Sequence, residues 1–205
     1  FTKIIMQFSI YSCDHLIVTS KTSKKEIVEV LSLNPDKVSF IYLGIDKKFL
    51  EKTEKNKKII NNFKFNNYIL SVLSCVKYHN IINLLKAFKL SSEEMDSNIK
   101  FVLVMQILDK DYYKEIINYI NDNFTKGKII IFSNLDNSYL INLYKYAKFY
   151  IFSSYCEVFG LTSLEAMSQN CPVVLSNRSA LPEINSDAAD YFDPDNEIQI
   201  KESIN

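Results

Sequence analysis

Residues 149–175 read FYIFSSYCEVFGLTSLEAMSQNCPVVL, and this stretch decides the fold. Residues 149–153 and 172–175 are short, continuously apolar runs, and between them the spacing predicts a helix over 162–169. Two such runs bridged by a helix make a βαβ unit, because parallel neighbours need a crossover and a helix supplies it compactly. Runs that are apolar at every position, not at alternate ones, suit strands covered on both faces.

The same alternation extends upstream. Strands are expected at 68–72, 99–105 and 128–132, and helices at about 80–90, 112–124 and 138–147. The expected fold is therefore α/β, a Rossmann-like doubly wound parallel sheet from residue 68 onward. Further upstream, 14–20 reads as a strand, Ser23 as the cap of a helix over 24–32, and 38–43 as a strand ended by Gly44. The charged, nonperiodic residues 46–67 have the composition of a linker, which divides the chain into 1–46, a linker at 47–67, and the sheet domain at 68–205.

In such sheets ligands sit at the carboxyl ends of the strands. The loops that matter follow Val72, Met105, Phe132, Ser153 and Leu175. The loop after Ser153 holds Gly160, one of only three glycines, with Glu157 before it and Glu165 after it. Each has an ordinary reading. Thr162-Ser163-Leu164-Glu165 fits a capping box, Gly160 fits a tight turn, and Glu157 fits a surface loop. Each also has a functional one. The N–H groups opening the helix suit an anion or sugar oxygens, Gly160 lets backbone approach a ligand, and Glu165 can accept both hydroxyls of a ribose diol. Glu157 would then face the ligand beyond its phosphates.

Composition narrows the classes. The chain has 205 residues, with 24 basic and 24 acidic side chains, so no positive excess points to nucleic acid. The run Glu51-Lys52-Thr53-Glu54-Lys55-Asn56-Lys57-Lys58 is the local exception and reads as solvated linker or as a binding patch. Cys13, Cys75, Cys156 and Cys171 lack zinc-site or disulfide-scaffold spacing and are expected as reduced thiols in or near the core. No apolar run approaches the roughly 20 residues of a membrane span and no secretory signal is present, so a cytoplasmic location is expected. The chain opens on Phe1, so a truncated chain is expected, and Arg178 is its single arginine.

Glu157-x-Phe159-Gly160-Leu161-x-x-Leu164-Glu165-Ala166-Met167, with Cys171-Pro-Val-Val-Leu-Ser-Asn177 and Ala180-Leu-Pro-Glu183, resembles the E-x7-E region of the retaining glycosyltransferases of family 4, which have the GT-B fold. Residues 14–20 with Tyr42-Leu43-Gly44-Ile45-Asp46 resemble the end of that family's N-terminal domain. Residues 140–147 and 187–194 resemble segments of its C-terminal domain. The resemblance implies transfer of a sugar from a nucleotide-sugar donor to a glycan or glycoconjugate acceptor, with retention of configuration and no bound metal or cofactor. Glu165 would hold the ribose, Glu157 would sit near the donor sugar, and Phe159, Gly160 and Leu161 would meet sugar or diphosphate. The acceptor, and a peripheral membrane contact, would belong to the N-terminal domain.

The sequence departs from that family where the diphosphate is clamped. Leu73 and Ser74 stand where Gly-Arg is usual, and His79 stands where lysine is usual, followed by the matching Asn80. Ser74, His79 and Asn80 are thus donor-site candidates, with Lys77 as a substitute point charge. A serine-rich loop followed by His-Asn resembles subgroups using mannose or similar donors. A catalytically inactive relative that keeps the fold for binding, and a sugar-nucleotide epimerase, are the alternative readings.

Overall fold

A computed structural model describes residues 8–50, 67–133 and 135–205. The Lys-rich run and most of the expected linker lie outside the described residues. Residues 8–12 are helical. Strand β1 (Leu16–Val18), helix α1 (Lys21–Leu31) and strand β2 (Val38–Phe40) follow, with β1 and β2 paired in parallel. The cap of α1 is Ser20 and not Ser23: the Ser20 side chain accepts from the Ser23 N–H, so the helix starts at Lys21. Helix α2 (Lys47–Leu50) buries Phe49.

The second sheet holds the five strands expected and a sixth, at one edge, that was not. Its strands are β3 (Tyr68–Cys75), β4 (Lys100–Ile107), β5 (Ile129–Phe132), β6 (Tyr150–Phe152), β7 (Val173–Ser176) and β8 (Asp190–Phe192). Between them run α3 (Ile81–Ser91), α4 (Lys110–Asn123), α5 (Asn137–Tyr146), α6 (Leu161–Ser168) and α7 (Leu181–Asn185), and α8 (Glu197–Ile204) follows β8. All pairings are parallel, in the order β5-β4-β3-β6-β7-β8. Ile69, Leu70, Ile151, Phe152 and Leu175 lie at the centre of the core, which explains why these strands are apolar without alternation.

Two features of this sheet position the site. The order reverses between β3 and β6, so the loops leaving these two strands diverge and open a crevice at their carboxyl ends. And β3 does not stop at Val72: Leu73, Ser74 and Cys75 pair in register with Met105, Gln106 and Ile107. The two positions where Gly-Arg was expected in a loop are therefore strand. Cys75 and Cys171 are buried as expected and Cys13 is half-buried, but Cys156 is exposed on the loop after β6. Among the described residues no helix is long and apolar enough to cross a membrane.

Candidate functional site

After Cys75 the chain makes one turn of 3-10 helix over Lys77–His79, and Asn80 adopts a left-handed conformation at φ 57° before α3 begins. The turn sends Lys77 and Tyr78 outward and His79 inward. The His79 ring packs edge-on to Tyr78 and Phe152. Its Nδ1 lies 2.6 Å from the Ser74 carbonyl oxygen, and its Nε2 lies 3.2 Å from Oε1 of Glu157. A carbonyl only accepts, so Nδ1 carries a proton. With Nδ1 turned to that carbonyl, Nε2 is the ring nitrogen that faces the Glu157 carboxylate, at ion-pair distance.

Glu157 reaches His79 because the loop after β6 is fastened to the turn after β3. The Ser153 hydroxyl donates to the His79 carbonyl at 2.9 Å, and the Tyr155 N–H donates to the Tyr78 carbonyl at 2.8 Å. The loop ends at Gly160, which has φ 88° as the tight-turn reading required.

The expected capping box does not form. Helix α6 begins at Leu161 with Gly160 in the cap position, and no side chain caps it. Thr162 is therefore already inside the helix. Its Oγ1 lies 2.7 Å from the Tyr150 hydroxyl, which donates to the Val72 carbonyl at 3.2 Å and so accepts from the threonine. Glu165 does not reach back to a cap but takes a 3.1 Å hydrogen bond from Tyr144. Burial holds the Tyr144 hydroxyl protonated, which makes it a standing donor. The ordinary explanation of Glu165 thus fails, and a half-buried carboxylate one turn inside the helix needs another.

Burial pushes the Glu165 carboxyl above the usual range; the Tyr144 hydrogen bond works against this and the charge of Asp46 adds to it. A carboxyl that binds its proton more tightly when folded opposes folding once it is ionised, and stability falls as pH rises through that raised value. Glu165→Gln keeps an acceptor for Tyr144 and removes the charge. The variant is expected to be more stable than the parent at pH 7, with the difference vanishing below the ordinary carboxyl range. Denaturation midpoints of both proteins across pH check this.

A cavity of about 490 Å³ opens at the strand ends. Ser74, His79, Glu157, Phe159, Gly160 and Leu161 line it, so six of the expected site residues come together. Three do not line it. Lys77 is exposed on the outer side of its turn. The Asn80 side-chain amide donates to the Pro194 carbonyl at 2.8 Å, which makes it a strut under α3. Glu165 stands one turn further along α6. Leu43, Met105, Gln106 and Thr162, none of them a site candidate from the sequence, also line the cavity. The strand end expected at Met105 gave a signal for Gln106, since Gln106 immediately follows it.

No lysine or arginine is among the described residues lining the cavity. The single arginine, Arg178, bonds Asp193 at 2.7 Å and Asp195 at 3.1 Å. A protonated His79 is thus the one cationic side chain the described lining can offer a phosphate, beside the uncapped start of α6.

Residues 52–205 match the family described as glycosyl transferases group 1. The O-antigen chain mannosyltransferase RfbU of Salmonella typhimurium is 26% identical over 196 residues, which cover 95% of this chain and 51% of that protein. The O-antigen chain mannosyltransferase B of Escherichia coli is 25% identical over 190 residues, covering 91% of this chain and 49% of that protein. The chain spans about half the length of these curated relatives. Among solved structures, Anabaena Alr3699/HepE in complex with UDP and glucose superposes with a TM-score of 0.81 at 15% identity, covering 100% of this chain and 58% of that one. The sheet order, the crevice at its reversal and the match across both lead to one assignment: the chain belongs to the glycosyl transferases group 1 family and has its GT-B fold.

Proposed function

We propose that this chain is the donor-binding half of a retaining glycosyltransferase of family 4, taking a nucleoside-diphosphate sugar of the mannose class and serving transfer to a glycan or glycoconjugate hydroxyl. The observation that carries the reading is the meeting of His79 and Glu157 in the cavity where the strand order reverses, beside the uncapped start of α6. Two of the relatives are mannosyltransferases, which favours that sugar.

In the reaction the bond between the anomeric carbon and the diphosphate oxygen breaks, and negative charge grows on the leaving group. His79, with Nδ1 fixed on Ser74, has only Nε2 to offer that charge, and the amides opening α6 add to it. Glu157 orients the imidazole in the free site, yields Nε2 to the diphosphate when the donor binds, and faces the sugar. Glu165, held by Tyr144, receives the ribose hydroxyls. No metal ion enters this scheme. A cytoplasmic location, with a peripheral membrane contact, goes with it.

The lack of lysine and arginine in the described lining favours a second reading, a binding protein that keeps the pocket without turnover. Incubation with GDP-mannose, with water as acceptor, separates the two. The proposed function predicts slow release of GDP and mannose whose first-formed anomer, followed by proton NMR, has the configuration of the donor. Inverted mannose contradicts retention, and tight binding without release supports the second reading. A new nucleotide sugar in place of free mannose would mark an epimerase.

A further inference from the structure

We propose that Glu183 is a positioning residue of the donor site, a carboxylate latch that ties α1 to the loop carrying Glu157. The inference rests on the donor-site reading above for its functional consequence, and on four hydrogen bonds for its geometry. Oε1 of Glu183 accepts from the Lys21 N–H at 2.7 Å and from the Tyr42 hydroxyl at 2.8 Å. Oε2 accepts from the Thr22 N–H at 2.7 Å and from the Thr22 hydroxyl at 2.6 Å.

Lys21 and Thr22 open α1, whose first turn contains no acidic residue of its own. A helix start attracts negative charge, and here the charge arrives from α7, 162 positions along the chain. Burial alone would raise the Glu183 carboxyl, but the hydrogen bonds from Thr22, Lys21 and Tyr42 outweigh it and hold the group below the usual range.

The elements joined by this carboxylate hold consecutive carbonyls of the site loop. From the α1 side, the Thr19 and Ser23 hydroxyls both donate to the Val158 carbonyl, at 3.1 and 3.3 Å. From the α7 side, the Ala180 N–H and the Ser179 hydroxyl both donate to the Glu157 carbonyl, at 3.2 and 2.8 Å. Tyr42, the fourth donor to Glu183, also packs against Phe159, with ring centroids 6.1 Å apart. The loop is gripped from two sides, and Glu183 is the bond between the grips. If α1 moves relative to α7, the peptide between residues 157 and 158 moves with it, and the 3.2 Å contact of Glu157 with His79 is lost.

Glu183→Gln turns one acceptor into a donor facing donors, and Tyr42→Phe removes one bond while leaving the carboxylate in place. Amide hydrogen exchange of the free chain reads the latch without any ligand. In Glu183→Gln the Lys21 and Thr22 amides should exchange at least ~10-fold faster, the amides of 157–160 should follow by a similar factor, and those of β4 should not change. Calorimetric titration with GDP and GDP-mannose then reads position. Affinity for the sugar conjugate should fall about 10-fold while affinity for GDP stays within about 2-fold, because the loop meets the sugar side of the ligand. Tyr42→Phe should repeat the pattern at smaller size, which keeps the test open if Glu183→Gln fails to fold. Faster exchange at Lys21 and Thr22 with unchanged exchange at 157–160 would overturn the proposal, leaving Glu183 a helix cap. If the parent chain binds neither probe, the mannose-donor reading fails, and exchange alone decides the latch.

Discussion

His79→Gln is expected to lower donor turnover by about 10²–10³-fold, the loss typical when a group aimed at developing charge is removed from an enclosed site. The size follows from the lack of a substitute. The described cavity lining holds no lysine or arginine, and Arg178 is engaged by Asp193 and Asp195. Glutamine can reach toward Ser74 or Glu157, but it carries no charge to the diphosphate. Glu157 also loses its partner, which should cost about 1–3 kcal/mol of stability at a half-buried carboxylate. His79→Lys restores a cation at the position where the resembling family has one, so it should recover most of the loss. Lys77→Ala should change turnover less than about 2-fold, in keeping with an exposed side chain that does not line the cavity. GDP release from GDP-mannose by the four proteins checks the series. A Lys77→Ala loss as deep as that of His79→Gln would move the cation back to the residue the turn points outward.

Gly160→Ala should be the most destabilising single methyl in the site. At φ 88° an alanine is strained by about 1–2 kcal/mol. A methyl there would also sit 2.7 Å from Cδ2 of Leu181, a fully buried side chain that would have to shift, which adds about 1–3 kcal/mol of overpacking. The sum, about 3 kcal/mol, corresponds to a fall in Tm of about 6–12 °C for a chain of this size. Relief of the clash would displace the start of α6, so nucleotide affinity should fall with it. Gly44 is the control: a Cβ there meets nothing within 4 Å, and Gly44→Ala should stay within about 0.5 kcal/mol of the parent. Calorimetric melting of both variants decides the matter, and equal Tm values would contradict the packing argument.

The sheet was legible because its strands are buried on both faces, so runs such as 149–153 and 172–175 carry the signal in composition alone. Gly160 was legible too, since a glycine-poor chain that keeps one before a helix points to a positive φ, and 88° is what the loop adopts. Several side chains have partners that the local sequence does not show. Thr162 and Glu165 fit a local capping box, yet Tyr150 and Tyr144 bind them instead, from neighbouring β6 and α5. Asn80 matched a donor-site motif, and its amide donates to the Pro194 carbonyl, 114 positions away. The cap of α1 is a local case: Ser23 was expected, and Ser20, whose side chain accepts from the Ser23 N–H, takes the position. Glu183 stood inside the quoted Ala-Leu-Pro-Glu motif without a role, because its donors come from the opposite end of the chain.

The central claim is that the crevice between the ends of β3 and β6 is a nucleotide-sugar site in which Glu165 holds the ribose. Calorimetric titration of the chain and of Glu165→Gln with UDP, GDP and ADP tests it most directly. The account predicts that one nucleotide binds the parent, and that Glu165→Gln, although more stable at pH 7, binds it about 10- to 100-fold more weakly, as loss of a hydrogen bond to a charged acceptor requires. Equal affinity in the two proteins, or no binding of any nucleotide by the folded parent, would contradict it.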